Sequence, residues 1–449
     1  MFDRILVANR GEVALRVIRA AREMGIETVA VYSEADKDSL PARMADVAVC
    51  VGPAQSAQSY LNMANIISAA TTTGAQAVHP GYGFLAENSA FARACTDSGL
   101  TFIGPSAEAI DRMGDKAQAR ATAMESGVPC VPGSDGAVDS ADDALVFAEA
   151  VGFPVLIKAS AGGGGKGMRV ARDAGELAAN FVAAKTEAAA AFGNDTVYLE
   201  KYLARPRHVE IQVLADSHGN AVYLFERDCS IQRRHQKLVE EAPSPALDPA
   251  TRLAMGEAAI SLVRAVDYQN AGTVEFLLDT DGRFYFMEMN TRVQVEHPVT
   301  EQITGVDIIK EQIRIAAGMP MKHANQSDIT LNGHAIEFRI NAEDPAHGFR
   351  PHPGTVGVWS APGGFGVRVD SHVYSGYTVP PTYDSLLGKL IVWGETRDEA
   401  IARGHRALDE FIVTGIPTTI PFHLDVLDTD AFRRGEVYTD FVVTEMNLD

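Results

Sequence analysis

Cysteine is scarce and scattered. The four thiols, Cys50, Cys95, Cys130 and Cys229, form no CxxC pair, which argues against a zinc ribbon or a disulfide framework. No apolar run is long enough to span a bilayer. The N-terminal MFDRILVANRGE has no basic region leading into an apolar signal core, so the chain reads as cytoplasmic. Positive charge is short as well: 39 Lys and Arg stand against 59 Asp and Glu, a formal charge of −20. Such a surface repels nucleic acid and anionic membrane. An anionic substrate would therefore need a local excess of Arg, Lys or metal. Internal repeats and low-complexity tails are missing too.

What is present is 449 residues, 46% of them hydrophobic, enough for two or three domains with real cores. Strands RILVA, TVAVYS, AQAVHP and LTFIGP alternate with the helical patterns 12–25 and 60–74 up to about residue 113. That order predicts a parallel sheet covered by helices. A second region opens near Gly114 with a helix over 115–127, and 151–203 reads as a small lid. Strands then dominate to about Met289, interrupted by a helix over 250–266. After polar HANQSDITLN, residues 334–449 mix short strands, Gly/Pro turns and a helix over 398–411. Met321-Lys322-His323, flanked by proline and a polar linker, reads as an ordinary loop and not a biotin attachment site.

The glycine run of KASAGGGGKGMR (158–169) fits neither common phosphate device. Lys166 is followed by Gly167, whereas a Walker loop needs a hydroxyl there for magnesium. A dinucleotide fingerprint would open into a helix, whereas MRVA reads as a strand and the helix starts only after Asp173. The run therefore joins two strands as a hairpin loop able to fold over a polyphosphate.

TVEFLLDTDGRFYFMEMNTRVQVEHP (273–298) carries the most chemistry. If Asp281-Gly282 forms a two-residue hairpin turn, Thr280 faces Arg283 and Glu275 faces Glu288. Opposed carboxylates repel unless a cation lies between them, and magnesium suits that donor set. Asn290 adds an oxygen on the same face. Alternation continues through Arg292, Gln294 and Glu296, so an extended chain would line up metal ligands, a guanidinium for a small oxyanion, and a carboxylate able to take its proton. ERDCSIQRRHQK (226–237) supplies the cationic excess, or is a basic surface loop. GHAIEFRINAED puts Ile336, Phe338 and Ile340 inward and Glu337, Arg339 and Asn341 outward, where Arg339 reads as a plain surface arginine. HPGYGFLAEN (79–88) and NRGE (9–12) lie beyond strand carboxyl ends, where open parallel sheets place ligands.

Together ANRGE, HPGYGFL.EN, MGDK, KAS..GGGGKGM, EKYL..PRHVEIQ, ERDCSIQRRHQK, EMNTRVQVEHPVTE and RINAEDP resemble the biotin carboxylase family over nearly the whole chain. The resemblance implies an α/β ATP-grasp enzyme: a Rossmann-like parallel-sheet domain over 1–113, an ATP-grasp domain over 114–330 with a mobile glycine-rich lid at about 131–203, and a mixed α+β C-terminal domain over 331–449. It implies ATP- and bicarbonate-dependent carboxylation of biotin, with Mg²⁺ or Mn²⁺. Lys116 and Lys158 would contact nucleotide phosphates, with the nucleotide-binding Gly164 and Gly165 in the lid. Glu200, Lys201, Tyr202 and Leu203 would read adenine, with His208, Gln232 and His235 nearby. Glu275, Glu288 and Asn290 would hold metal. Lys237, Arg292, Gln294 and Val295 would bind bicarbonate, Glu296 would be the base, and Arg339 would face the biotin ureido oxygen. Partners implied are a biotin carboxyl carrier protein, carboxyltransferase subunits and a second copy of the chain. The final acceptor could be acetyl-CoA, propionyl-CoA or pyruvate. Rival readings are another ATP-grasp carboxylate–amine ligase, a nicotinamide oxidoreductase without GxGxxG, and a non-catalytic nucleotide sensor.

Overall fold

A computed structural model describes residues 1–134, 136–159, 168–192 and 194–448. Strand β1 (Arg4–Val7) leads into helix α1 (Gly11–Glu23), and β2 (Glu27–Ser33), β3 (Val47–Gly52), β4 (Ala77–His79) and β5 (Thr101–Phe102) complete a sheet of order β3-β2-β1-β4-β5. All its pairings are parallel. The apolar run of β1 has no polar alternation because both faces are covered. Ile5 and Val7 pack with Ala14, Val17 and Ile18 of α1, while Leu6 meets Val29, Val31, Tyr60 and Ile66. The strand–helix pattern of the sequence is thus borne out, with β3 added to it.

The chain divides into two compact units. One holds Met1–Val128, Arg207–Leu277 and Glu288–Asp449; the other holds Pro129–Pro206 and Leu278–Met287. In the smaller unit β6 (Val155–Ala159) pairs antiparallel with β7 (Met168–Ala171) and β8 (Val197–Lys201). Helix α2 (Ala174–Phe192) lies on this sheet, and Val155, Ile157, Ala171, Leu177 and Phe181 form its core. Lys158 stands opposite Met168, so the glycine run does join two paired strands. Gly164, Gly165 and Lys166 themselves lie outside the described residues.

Further along the chain β9 (Arg207–Ala215), β10 (Ala221–Arg233), β11 (Gln236–Ala242), β12 (Asn270–Leu278) and β13 (Phe284–Asn290) are followed by helix α3 (His297–Thr304) and β14 (His334–Asn341), all in the larger unit except Leu278 and residues 284–287. With β15 (Val367–Ser371) and β16 (Leu386–Gly394) they form one sheet, ordered β13-β12-β9-β10-β11-β14-β16-β15. Helices α4 (Arg397–Glu410) and α5 (Ile420–Asp428) cover one face at β14, where Ile336, Phe338 and Ile340 meet Ala400, Ala407, Phe422 and Val426. The other face is not solvent. Glu337 is wholly buried there, and Arg339 is mostly buried, which corrects the outward placement read from alternation. A strand covered on both faces keeps its period of two but loses the link between polar and exposed. No helix among the described residues is long and apolar enough to cross a membrane.

Acid sensitivity is built into the larger unit. Glu241 on β11 is buried, yet Arg397 and His334, each 2.7 Å away, bring its carboxyl down from 4.5 to about 2. Arg16 and Arg368 do the same for Glu301. A folded pKa below the unfolded one stabilises the fold above the unfolded value, and that stability fades as pH falls toward the folded value. The contribution of these two carboxyls to stability should therefore be flat above about pH 5 and be lost between about 4.5 and 2. Glu241→Gln should flatten part of the fall in a calorimetric pH series.

Candidate active site

The site is built on the polar face of β9, β10 and β12. HVEIQV alternates Val209, Ile211 and Val213 with His208, Glu210 and Gln212, all of them buried. On β10, Arg227 is fully buried, and its guanidinium uses its fixed fork on five partners. It donates to Glu210 (2.6 Å), Gln212 (2.7 Å), Thr300 (3.0 Å), Thr273 (3.1 Å) and Gln294 (2.8 Å). Gln294 in turn donates to Glu275 at 2.7 Å, and so does Asn290.

Two more cations converge beside this hub. Lys237 of β11 donates to Glu296 (2.5 Å), Glu210 (2.6 Å) and Glu275 (3.3 Å). Arg339 of β14 donates to Glu240 at 2.6 Å and to the second oxygen of Glu296 at 3.0 Å. Each oxygen of the buried Glu296 thus faces its own cation. Burial alone would raise this carboxyl, but Lys237, Arg339 and Arg227 hold it well below the usual range. Glu275 is lowered in the same way against its burial, by Lys237 and His208. For the Lys237 ammonium, burial is outweighed by Glu210, Glu296 and Glu275, so it stays charged. Cys229, raised by its own burial, stays a neutral thiol there. Glu240 is pushed up to about 7 by burial, against the pull of Arg339.

The predicted 288–296 face comes together by a different route. Asp279 donates its amide to the Arg283 carbonyl and accepts from the Gly282 amide. Gly282 sits at φ +84°, so the turn is one residue longer than Asp281-Gly282 alone. The pairing of Thr280 with Arg283 is therefore corrected, and the turn does not impose the opposition of Glu275 and Glu288. Strand β13 ends at Asn290, and Glu296 is the residue preceding α3. The continuous strand to Glu296 is corrected to an irregular segment whose Gln294 and Glu296 turn back into the hub. Pro298 in the first turn of α3 is the local cause.

Glu288 stays outside the buried cluster, 39% exposed and 3.6 Å from Lys116. Arg292 binds Glu87 (2.8 Å) and the Asn290 side-chain oxygen (2.8 Å). Two carboxylates and an amide oxygen are by type the hard donors a divalent cation takes; Asn290 bonds directly to Glu275, and Glu288 precedes it by two residues on β13. The donor set fits magnesium.

The remaining predicted residues divide between the units. In the smaller one, Lys158 donates to Glu200, Lys201 donates to the Gly152 carbonyl at 2.9 Å, and the Tyr202 amide donates to Pro154 at 3.1 Å, with Leu203 buried. In the larger one, His208 Nε2 lies 2.9 Å from Glu275. Gln232 pairs with Lys237 across the β10–β11 hairpin, whose exposed turn is Arg234-His235, both at positive φ. The basic stretch therefore splits: Arg227 and Lys237 belong to the site, and Arg234 and His235 to the turn. Val295 accepts a hydrogen bond from Lys389 through its carbonyl.

Sequence reasoning passed over Glu210, Glu240, Glu87 and Lys389, and gave Arg227 no role of its own. Only Glu210 had a local signal, the polar alternation of HVEIQV. Segments NRGE and PGYGF, unspecific alone, meet at a cleft of ≈ 200 Å³ lined by Arg10, Glu12, Tyr82, Phe84 and Asp384.

Residues 1–110 match the model of the biotin carboxylase N-terminal domain and 337–444 that of the biotin carboxylase C-terminal domain. Residues 115–324 match the ATP-binding domain of the carbamoyl-phosphate synthase L chain. The biotin carboxylase of Nostoc sp. is 58% identical over 446 residues, and biotin carboxylase 1 of Bacillus subtilis 58% over 445; each alignment covers 99% of both chains. Among solved structures, a biotin carboxylase–βγ-ATP complex from Campylobacter jejuni matches with a TM-score of 0.90 at 48% identity. The biotin carboxylase domain of a thermophilic 2-oxoglutarate carboxylase, bound to bicarbonate, matches with 0.94 at 48%, and both matches cover 98% of each chain.

Proposed function

The chain belongs to the biotin carboxylase family of ATP-dependent ligases, and from that premise we propose that it carboxylates biotin borne on a separate carrier protein, as the first half-reaction of an acetyl-CoA carboxylase. The observation that carries the reading is the setting of Glu296: a buried carboxylate with Lys237 on one oxygen and Arg339 on the other. Those cations supply the local positive charge that an anionic substrate needs in a chain of net charge −20.

In this reading bicarbonate enters beside Lys237 and Arg292 and draws the Lys237 ammonium off Glu296. The freed carboxylate takes the bicarbonate proton, and the carbonate oxygen attacks the γ-phosphorus of ATP, releasing ADP and leaving carboxyphosphate. Lys116 and Lys158 serve the nucleotide phosphates, and Glu200, Lys201 and Leu203 the adenine. Glu275, Glu288 and Asn290 would hold the magnesium ion, which neutralises phosphate charge. Carboxyphosphate breaks to carbon dioxide and phosphate; the phosphate takes the biotin N–H proton, and the nitrogen attacks carbon dioxide. Arg339, already aimed into the site, stabilises the oxyanion that develops on the ureido oxygen.

ADP release with free biotin as acceptor tests the proposal. Turnover should require both bicarbonate and biotin. Cleavage equally fast without bicarbonate, or dependent on an added amine, would instead favour a carboxylate–amine ligase.

A further inference from the structure

We propose that Lys389 is a positioning residue that fixes the peptide between Val295 and Glu296, and so holds the carboxylate of Glu296 in register with its two cations. The inference rests on the reading of Glu296 as base given above.

Lys389 is the one charge in the apolar strand LLGKLIVWG. Its register neighbours are Arg339 on β14 and Asp370 on β15. Its side chain is 0% exposed, and burying an ammonium ion is costly unless it is paired and hydrogen-bonded. Lys389 has both. It lies 3.1 Å from the Glu12 carboxylate and donates to the Val295 carbonyl at 2.6 Å. Glu12 also accepts a hydrogen bond from the Tyr82 hydroxyl. One ammonium group thereby ties NRGE, PGYGF and the irregular segment before α3 to a central strand.

The Val295 carbonyl belongs to the same planar peptide as the Glu296 amide. Anchoring that oxygen sets the plane from which the Glu296 side chain departs. Regular structure does not do this, because β13 has ended and α3 has not begun. Glu12 and the neighbouring Asp370 keep the ammonium charged against its burial, so the bond to Val295 is charge-assisted. A site that loses such an anchor keeps its residues but misplaces them, and a shift of about 1 Å costs about 100-fold in rate.

Lys389→Met alone would strand Glu12 as a buried unpaired charge. The test therefore uses Lys389→Met/Glu12→Gln, which removes both charges and leaves the amide oxygen as acceptor for Tyr82, with Glu12→Gln as reference. Compared with the reference, the double variant should lose roughly 10- to 100-fold in kcat for bicarbonate-dependent ATP cleavage. Its KM for ATP should stay within about twofold and its melting temperature near that of the reference. A folded double variant that turns over like Glu12→Gln overturns the proposal. So does one that unfolds, or whose ATP KM rises in step with the loss in kcat, since Lys389 then serves the fold at large. If the unmutated chain itself cleaves ATP without regard to bicarbonate, the reading of the site fails and Lys389 is not the cause.

Discussion

Glu296→Gln should lower bicarbonate-dependent ATP cleavage by about 10²- to 10⁴-fold, the range for removing a positioned general base, while leaving nucleotide affinity within about twofold. The substitution is nearly isosteric, and the surroundings tolerate the lost charge. Lys237 keeps Glu210 and Glu275, and Arg339 keeps Glu240, so neither cation is left buried and unpaired. What disappears is the group that receives the proton. Its pKa lies well below the ordinary carboxylate range in the ligand-free chain, so Glu296 is ionised at any working pH. An acidic limb in kcat/KM, which reports free-enzyme groups, should therefore not belong to Glu296 and should not move in variants of its neighbours. Direct binding of ATP by calorimetry, beside ADP release, separates the two effects. More than about a tenth of the original turnover in the variant would mean that the proton goes elsewhere.

Local pattern carried the scaffold further than it carried the site. The parallel sheet was legible because four of its strands are short apolar runs closed by a turn residue, a signal contained within a few residues; β3 was passed over. The hairpin flanking the glycine run was legible for the same reason, since FPVLIKA and MRVA are strands by composition and length. The 288–296 alternation was misleading in a specific way. Period two read as strand, yet the EHP that ends it is a helix start, with Glu296 before the first turn and Pro298 inside it. Asn290, Gln294 and Glu296 still converge, the last two by turning back from an irregular segment, while Glu288 stays outside. Alternation in β14 likewise separated Glu337 and Arg339 from Phe338 correctly and then assigned them to water, because a single sequence does not reveal that Glu240 of β11 and Glu296 before α3 meet Arg339 on that face. Partners far along the chain were the least visible. Lys389 meets Glu12 across 377 residues and Val295 across 94, and no window of sequence contains both ends.

Arg227→Met should destabilise the chain by about 3 to 5 kcal/mol, the usual cost of removing one partner of a buried ion pair, and lower its melting temperature by roughly 3 to 5 °C. The side chain is 0% exposed and donates along three directions at once: to Glu210, to the Gln212–Thr300 pair and to the Thr273–Gln294 pair. Methionine fills much of the volume but leaves the Glu210 carboxylate with Lys237 as its remaining strong cation and leaves the four side-chain oxygens of Gln212, Thr300, Thr273 and Gln294 short of a donor. Arg227→Lys keeps the charge but replaces a planar fork by a point, so it should recover the pairing with Glu210 and lose the link to Gln294. That distinction separates stability from function. Adding Glu210→Gln to Arg227→Met should restore part of the melting temperature, because the stranded charge is gone. It should not restore bicarbonate-dependent turnover, because Gln294 still lacks the bond that holds it against Glu275. Thermal unfolding and ADP release on the single and double variants decide the matter. A single Arg227→Met that melts with the unmutated chain, or a double variant that recovers both properties together, would show that the five-bond hub does not organise the site.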